Sequence, residues 1–394
     1  MRLAILMSDN REPYRQYSHP QPWFGRGPEA LLQGFSQLPE LEVHVVTCTQ
    51  QPMISSPKKL ADNIWFHSLH VPKLGWMRTL YQGCVRATRK KLREIQPDLV
   101  HGQGAERECA LGAVFSGCPN VVTIHGNMAE LARLFRSRIG SFHWLAARLE
   151  NFALARTVGV FCNSAYTESL VRPRAKKTWP VPNALRREFF ETPLAVLTAP
   201  RPVILLSVGS ITERKRPLEL LAAAQKLQSR NLKFELVFIG KLDSSEAYAA
   251  EFLKCIQSPA AQGWAQHRAE MSTHELIRHF DSAAGLIHFP SEEAFGLVVA
   301  EALARNLKFF GSAAGGVVDI ARGVEGAELF GLQDWAALEA AVTRWLLSGG
   351  SRPVNAAAVM GERYHPRIIA RRHLEIYREV LGRNLNPEPR SPSR

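Results

Sequence analysis

Two glutamates, Glu293 and Glu301, stand eight positions apart in the stretch PSEEAFGLVVAEALA (290–304), just after the strand-like AGLIHF. Carboxylates only accept hydrogen bonds, so at a ligand site they suit hydroxyls such as a ribose diol or a sugar ring, and they repel phosphate oxygens. Leu297, Val298, Glu301, Ala302 and Leu303 follow helical spacing, which predicts a helix with Glu293 at its start. Eight helical residues rise about 12 Å, the scale that separates a nucleoside ribose from a sugar across a diphosphate. The same spacing also fits a plain helix, with one glutamate in a first turn favourable to the dipole and another on a solvated face.

Cations that would complement such a site lie upstream. In SVGSITERKRP (207–217) a strand ends at Gly209, a helix begins near Pro217, and Arg214, Lys215 and Arg216 stand just ahead of it. Helix-start N–H groups with fixed cations suit a pyrophosphate, although proline in a first turn is also an ordinary way to begin a helix and a basic loop can simply be solvated. In the first half, Gly25-x-Gly27-x-x-Ala30 fits a loose dinucleotide fingerprint, but it follows a long polar loop rather than a tight turn and reads better as the floor of a cleft. His125 in TIHGN and, ranked below it, His101 in LVHGQG end strand-like runs; each is either a site residue or a polar strand end.

The elements that must position these residues alternate. RLAILM, LEVHVVT, IWFHSLH, DLVHG, NVVTIHG and VGVFCNS read as strands; helices read near 28–38, 78–95, 106–115 and 128–157. After the stretch ETPLAVLTAPRP (191–202) the pattern restarts with VILLSVGS, a helix over 217–228, FELVFIG, a helix near 245–257, GLIHF, the glutamate helix, LKFFGS and a helix near 333–347. Short apolar strands between helices imply two doubly wound α/β domains with parallel sheets, whose ligands gather beyond the carboxyl ends of the strands. The expected divisions are 1–195 and 196–365, then a helix over 366–383 and a Pro-rich, disordered tail at 384–394. A chain of 394 residues suits two cores.

Composition narrows the classes. No apolar run approaches the ~20 residues that span a bilayer, and the start MRLAILMSDNREPY turns polar too early for a signal peptide, so a cytoplasmic protein is expected. The six cysteines lack C-x-x-C spacing and suit reduced, packing thiols. Lys plus Arg number 49 against 36 Asp plus Glu, a formal charge of +13, which favours anionic partners without choosing among them. The densest basic segment, 78–95, offers Leu80, Val85, Leu92 and Ile95 as a buried stripe. The lysines and arginines around it are either a solvated face or a contact, for anionic lipid at the inner membrane face or for a charged acceptor.

Set in order, these motifs resemble the retaining GT-B glycosyltransferases called family four, or group 1. EAFGLVVAE resembles that family's E-x7-E signature, SVGSITERK its V-G-R-L-x-x-x-K phosphate loop, VFIG its next strand and glycine, AAGGVVDI its Gly-Gly turn, and WPVPNALRREFF its V-I-P-N-G-V-D segment between domains. Ser210 stands where the family has Arg, and Arg214 is the available substitute; Ala184 and Arg187 interrupt N-G-V-D, and Asp319 replaces a Glu. The resemblance implies two facing Rossmann-like domains with a cleft between them, the first on the acceptor side, the second on the donor side, and a final helix crossing back to the first. It implies a hexosyl transfer from a nucleotide diphosphate sugar, with retention, to a glycan or lipid-linked acceptor, in bacterial envelope polysaccharide, glycolipid or lipopolysaccharide assembly. Nucleic acid is not an expected partner, and no further cofactor is. Glu293, His125 and Lys215 become catalytic candidates; Gly209, Ser210, Arg214, Phe295, Gly296, Leu297 and Glu301 join Lys215 in donor binding, with Glu301 on the ribose, while Gly25 and Gly27 shape the cleft loop. No D-x-D occurs in the chain, so no metal is expected, and Lys215, Arg214 and helix-start N–H groups take its electrostatic role. Two competitors remain: a sugar-nucleotide epimerase on the same scaffold, and a non-enzymatic basic protein that binds polyanions or membranes.

Overall fold

The computed structural model describes residues 1–194 and 202–382. Its strands are β1 (Arg2–Leu6), β2 (Glu42–Thr49), β3 (Lys59–Ala61), β4 (Ile64–His70), β5 (Leu99–Gln103), β6 (Asn120–Ile124), β7 (Gly159–Cys162), β8 (Thr178–Pro180), β9 (Val203–Val208), β10 (Phe234–Ile239), β11 (Ala265–Arg268), β12 (Gly285–His288), β13 (Lys308–Ser312) and β14 (Ala327–Phe330). Its helices are α1 (Arg26–Phe35), α2 (Gln82–Ile95), α3 (Glu108–Val114), α4 (Met128–Leu134), α5 (Phe142–Leu154), α6 (Ala165–Val171), α7 (Glu188–Glu191), α8 (Pro217–Ser229), α9 (Ala247–Ile256), α10 (Thr273–Ser282), α11 (Leu297–Leu303), α12 (Val317–Ala321), α13 (Trp335–Leu347), α14 (Ala356–Tyr364) and α15 (Pro366–Val380).

The chain divides into two units: Met1–Arg186 with the chain from Pro366 onward, and Arg187–His365. The boundary expected at 195 therefore moves to 186. Buried Arg305 explains the move, because its guanidinium donates to the carbonyls of Phe189 (3.3 Å), Thr192 (2.6 Å) and Pro193 (2.7 Å) and ties that segment to the second unit. The tail expected at 384–394 lies outside the described residues.

In the first unit eight strands lie in the order β3-β4-β2-β1-β5-β6-β7-β8, parallel throughout except for β3, which runs antiparallel to β4. Side chains alternate across a strand, so Leu3 and Ile5 enter a core with Phe35, Ile369 and Tyr377, while Ala4 and Leu6 enter another with Leu92, Ala110 and Leu154. Both faces are thus covered, as the uninterrupted apolar strand RLAIL requires. α15 packs on α1 at Gly34, where a Cβ would stand 2.2 Å from the Pro366 carbonyl oxygen; only glycine allows that approach. The helix expected over 128–157 is two helices: Arg136 (φ 45°) and Gly140 (φ 83°) reverse the chain between α4 and α5. α2 buries Val85, Leu92 and Ile95 as expected, but Leu80 stands outside the helix with left-handed backbone and is exposed.

In the second unit six parallel strands lie in the order β11-β10-β9-β12-β13-β14. Leu205, Leu236, Phe238, Ile287 and Phe310 from the sheet pack with Leu220, Phe252, Val342 and Trp345. The chain leaves β9 toward β10 and later returns to β9's other side with β12, so the sheet reverses its winding between β9 and β12. In sheets of this kind, the loops that follow the two strands at such a reversal are where ligands bind. Among the described residues no helix is long and apolar enough to cross a membrane.

Candidate functional site

The loops at that reversal carry the two charged motifs. After β9, residues Glu213–Lys215 form a single 3-10 turn ahead of Pro217, the first residue of α8. After β12, residues 289–296 run irregularly to Gly296, whose φ of 100° starts α11 at Leu297. The glutamate helix therefore begins four residues later than expected. Glu293 lies in the loop and only Glu301 is helical, so a ~12 Å helical rise does not describe their separation.

Ion pairs join the two loops. Lys215 Nζ pairs with Glu293 Oε2, and His288 Nε2 lies 3.0 Å from the same oxygen. An ionised carboxylate only accepts, so the His288 proton is on Nε2. Arg214 Nη1 donates to the Glu292 carbonyl (2.8 Å) and lies 3.2 Å from the Glu292 carboxylate, while the Arg214 carbonyl accepts from Ser291 N at 2.9 Å. Burial pushes the Glu293 carboxyl up, but the Lys215 ammonium and the His288 N–H outweigh it and hold it well below the usual carboxylate range. Burial, with Lys215 and Arg214 close by, holds His288 below the ordinary imidazole range against the pull of Glu293. The result is a compact group of two cations, two carboxylates and a neutral imidazole at the reversal of the sheet.

The surrounding residues fix this loop pair. A Cβ on Gly240 would meet the Gly209 oxygen at 2.0 Å, so the two strand-end glycines touch. Gly316 donates to the Glu293 carbonyl (3.0 Å), and a Cβ there would lie 2.6 Å from the Ala294 oxygen; the Gly-Gly turn is a brace for the glutamate loop. Phe295 is buried edge-on against Tyr364 (5.7 Å), which makes its side chain an anchor. Ser210 is exposed. Arg216 turns elsewhere and donates to the Leu332 carbonyl at 2.6 Å. Glu301 is only 1% exposed, not on a solvated face.

In the first unit, Gly27, Gln103, Thr123, His125, Asn183 and His373 line one recess. Gly25 caps the start of α1, and a Cβ on Gly27 would press on the Asn183 side chain at 3.3 Å. His125 Nε2 lies 2.8 Å from Gln103 Oε1, and burial pushes its ring down to about 4. His101 departs from its lower-ranked site reading: it is fully buried, 2.5 Å from Tyr377 Oη and 2.7 Å from Thr123 Oγ1, and it locks α15 onto the sheet. Four participants escaped the sequence reading. Glu292 and His288 adjoin Glu293, Gln103 ends β5 two residues after His101, and Glu106 follows with a carboxyl that burial pushes up to about 7 against backbone N–H groups that include that of Gly126. The signal that marks them is position: His288 and Gln103 are the last residues of β12 and β5, and Glu292 and Glu106 lie in the loops that follow.

Two family models match the chain: Glycosyltransferase Family 4 over residues 30–188 and Glycosyl transferases group 1 over 193–363. No curated protein sequence matches it. Among solved structures, sucrose-phosphate synthase from Thermosynechococcus elongatus is 18% identical with a TM-score of 0.76, covering 98% of this chain and 100% of its own. HepE of Anabaena, solved with UDP-glucose, is 14% identical with a TM-score of 0.69, covering 96% and 100%. The lipopolysaccharide outer core galactosyltransferase WaaB is 13% identical with a TM-score of 0.68, covering 96% and 100%. Likeness at this identity carries the fold, and the two family matches, which together take in most of the sequence, carry the rest: the chain belongs to the group 1 glycosyltransferases and has their GT-B fold.

Proposed function

We propose that this glycosyltransferase takes a hexose from a nucleoside diphosphate sugar and passes it, with retention, to a glycan or lipid-linked acceptor in bacterial envelope polysaccharide or glycolipid assembly, from the cytoplasmic side of a membrane. The observation that carries the reading is the Lys215–Glu293–His288 group with Arg214 at the sheet reversal of the second unit. A diphosphate needs cations and a sugar needs acceptors for its hydroxyls, and the group supplies both. Lys215 and Arg214 take the leaving diphosphate; the start of α8 offers it little, because Pro217 has no N–H, Leu218 N donates to Tyr248 Oη at 3.1 Å and Leu220 N to the Arg216 carbonyl at 3.1 Å. Glu293 takes sugar hydroxyls, Glu301 takes the ribose, and the backbone of 295–297 adds contacts. The diphosphate then competes with Glu293 for Lys215.

In the transfer, the bond from the anomeric carbon to phosphate oxygen breaks with its electron pair going to the diphosphate. The acceptor oxygen bonds to that carbon from the face being vacated, and its proton passes to the departing oxygen. Charge grows on the phosphate as this proceeds, so a fixed ammonium helps the transition state more than the ground state. Glu293 is not the nucleophile, because a carboxylate shared by Lys215 and His288 and held well below the usual range is a weak one. No metal enters the scheme, and no cofactor beyond the donor.

HepE was solved with UDP and with UDP-glucose, and WaaB is named for lipopolysaccharide outer core, so uridine diphosphate hexoses and envelope glycolipids are the first substrates to try. The test is a panel of uridine, guanosine and adenosine diphosphate sugars, assayed with and without chelator, with product configuration read by NMR. One saturable donor, chelator-resistant turnover and a retained anomeric centre support the reading. Inversion or loss of turnover with chelator would remove the corresponding part of it.

A further inference from the structure

The turn that joins α4 to α5 exposes four large apolar side chains within nine residues: Leu134 (41%), Phe135 (52%), Ile139 (85%) and Phe142 (47%). Ile139 is the most exposed large apolar residue among the described residues. The turn is not loose. Asn127 caps α4 through Glu130 N (2.9 Å), the Glu150 carboxylate accepts from Met128 N (2.8 Å), Ser137 N donates to the Ala132 carbonyl (2.9 Å), and Ser141 N donates to that of Arg138 (3.0 Å). An apolar tip presented on a hydrogen-bonded turn is a built feature, since exposing it costs free energy that a partner would return.

Charge identifies that partner. From 127 to 149 the chain carries four arginines, 133, 136, 138 and 148, all exposed, against one acid, Glu130, which Arg133 engages. We propose that the α4–α5 turn docks the protein on an anionic lipid surface, with Ile139 and Phe135 entering the headgroup boundary and the arginines meeting lipid phosphates. Apolar tips ringed by cations bind such surfaces by both contributions at once, the attraction of each nearby Arg to lipid phosphate and the burial of apolar area. A second copy of the chain fits worse, because a two-fold contact through Ile139 would set Arg136 and Arg138 of both copies against each other. α2, the more basic segment, buries its apolar stripe and turns Arg86, Arg89, Lys90 and Arg93 outward, so it can attract anionic lipid without anchoring in it. The assignment deepens the membrane-side placement proposed above and does not depend on the donor, since vesicle binding is read with no nucleotide present.

The experiment is co-sedimentation of the full chain with phosphatidylcholine vesicles, with or without phosphatidylglycerol, at physiological salt. Binding at least about 10-fold stronger to the anionic vesicles is expected. The pair Phe135→Ser, Ile139→Ser should cut it by at least about 10-fold with an unchanged melting temperature, and Arg136→Glu with Arg138→Glu should abolish the preference for phosphatidylglycerol. The pair Arg89→Glu, Lys90→Glu on α2 should keep most of the binding. Absence of binding to anionic vesicles would overturn the assignment. So would full binding by the apolar variant, loss confined to the α2 variant, or a dimer that the apolar substitutions convert to monomer.

Discussion

Glu293 is held by a cation that a donor diphosphate would also claim, and this makes its substitution diagnostic. In Glu293→Gln the amide keeps one acceptor oxygen but releases Lys215, whose pairing with Glu293 is worth on the order of 1 kcal/mol to a competing phosphate. Affinity for the bare nucleoside diphosphate should therefore rise about 5-fold, while sugar transfer falls about 10- to 1,000-fold. Calorimetry and a transfer assay on one preparation check this, and near-normal transfer removes Glu293 from the sugar. At His125 the informative neighbour is Gln103, whose Oε1 accepts from Nε2–H and leaves Nδ1 as an acceptor on a neutral ring. In 15N NMR the wild type should hold that tautomer at neutral pH. Gln103→Leu should lose the preference, and Gln103→Glu should raise the ring pKa by about one unit or more. Unchanged spectra in both variants would separate Gln103 from His125. None of these pairings was legible in the sequence. The motif marks Lys215 and Glu293, but that they meet depends on two loops 78 residues apart being brought together.

At the scale of elements, what was readable follows from burial. Strands such as VILLSV and FELVFI are covered by helices and therefore apolar along their length. β11 (AQHR) and β14 (AELF) occupy the two edges of the second sheet, are half-exposed, and gave no run to read. α10 had a readable start, since Ser272 and Glu275 form a capping box, and it was missed because its apolar stripe is only Leu276, Ile277 and Phe280. The late start of α11 was hidden because an apolar helical pattern cannot show that Gly296 takes a left-handed backbone. The Gly-Gly turn tests how the elements support the site. In Gly316→Val the new Cβ would meet Ala294 O at 2.6 Å and Phe295 Cα at 2.7 Å, which forces the glutamate loop to shift. A stability loss of ~1 to 3 kcal/mol is expected, with transfer lost beyond what the fraction unfolded explains. Full transfer by the folded fraction would contradict the brace.

Across the whole molecule, the GT-B architecture and the order of its motifs were legible because each motif lies where a parallel strand ends. The boundary at 186 was not, because it depends on Arg305 reaching back across more than 100 residues. Buried histidines also set how stability responds to pH. Burial holds His125 and His373 at about 4 and His101 well below its ordinary value, so below about pH 6.5 the unfolded chain binds protons that the folded one refuses. Stability should be full above about 6.5 and fall as pH drops toward 4, by on the order of 3 kcal/mol for each of His125 and His373. Glu106, raised to about 7, opposes this with one proton of the other sign. Melting temperatures from pH 7.5 to 4.5 check the slope, and His373→Phe should flatten it; a flat wild-type profile would contradict burial of neutral rings. The central claim is that a nucleoside diphosphate sugar is used at Lys215, and single-turnover transfer by the wild type and Lys215→Ala, with the best donor from the panel at saturation, tests it most directly. The variant should melt within a few degrees of wild type, bind the diphosphate more weakly, and transfer at least about 100-fold more slowly even at saturation. A folded variant with wild-type turnover would contradict it.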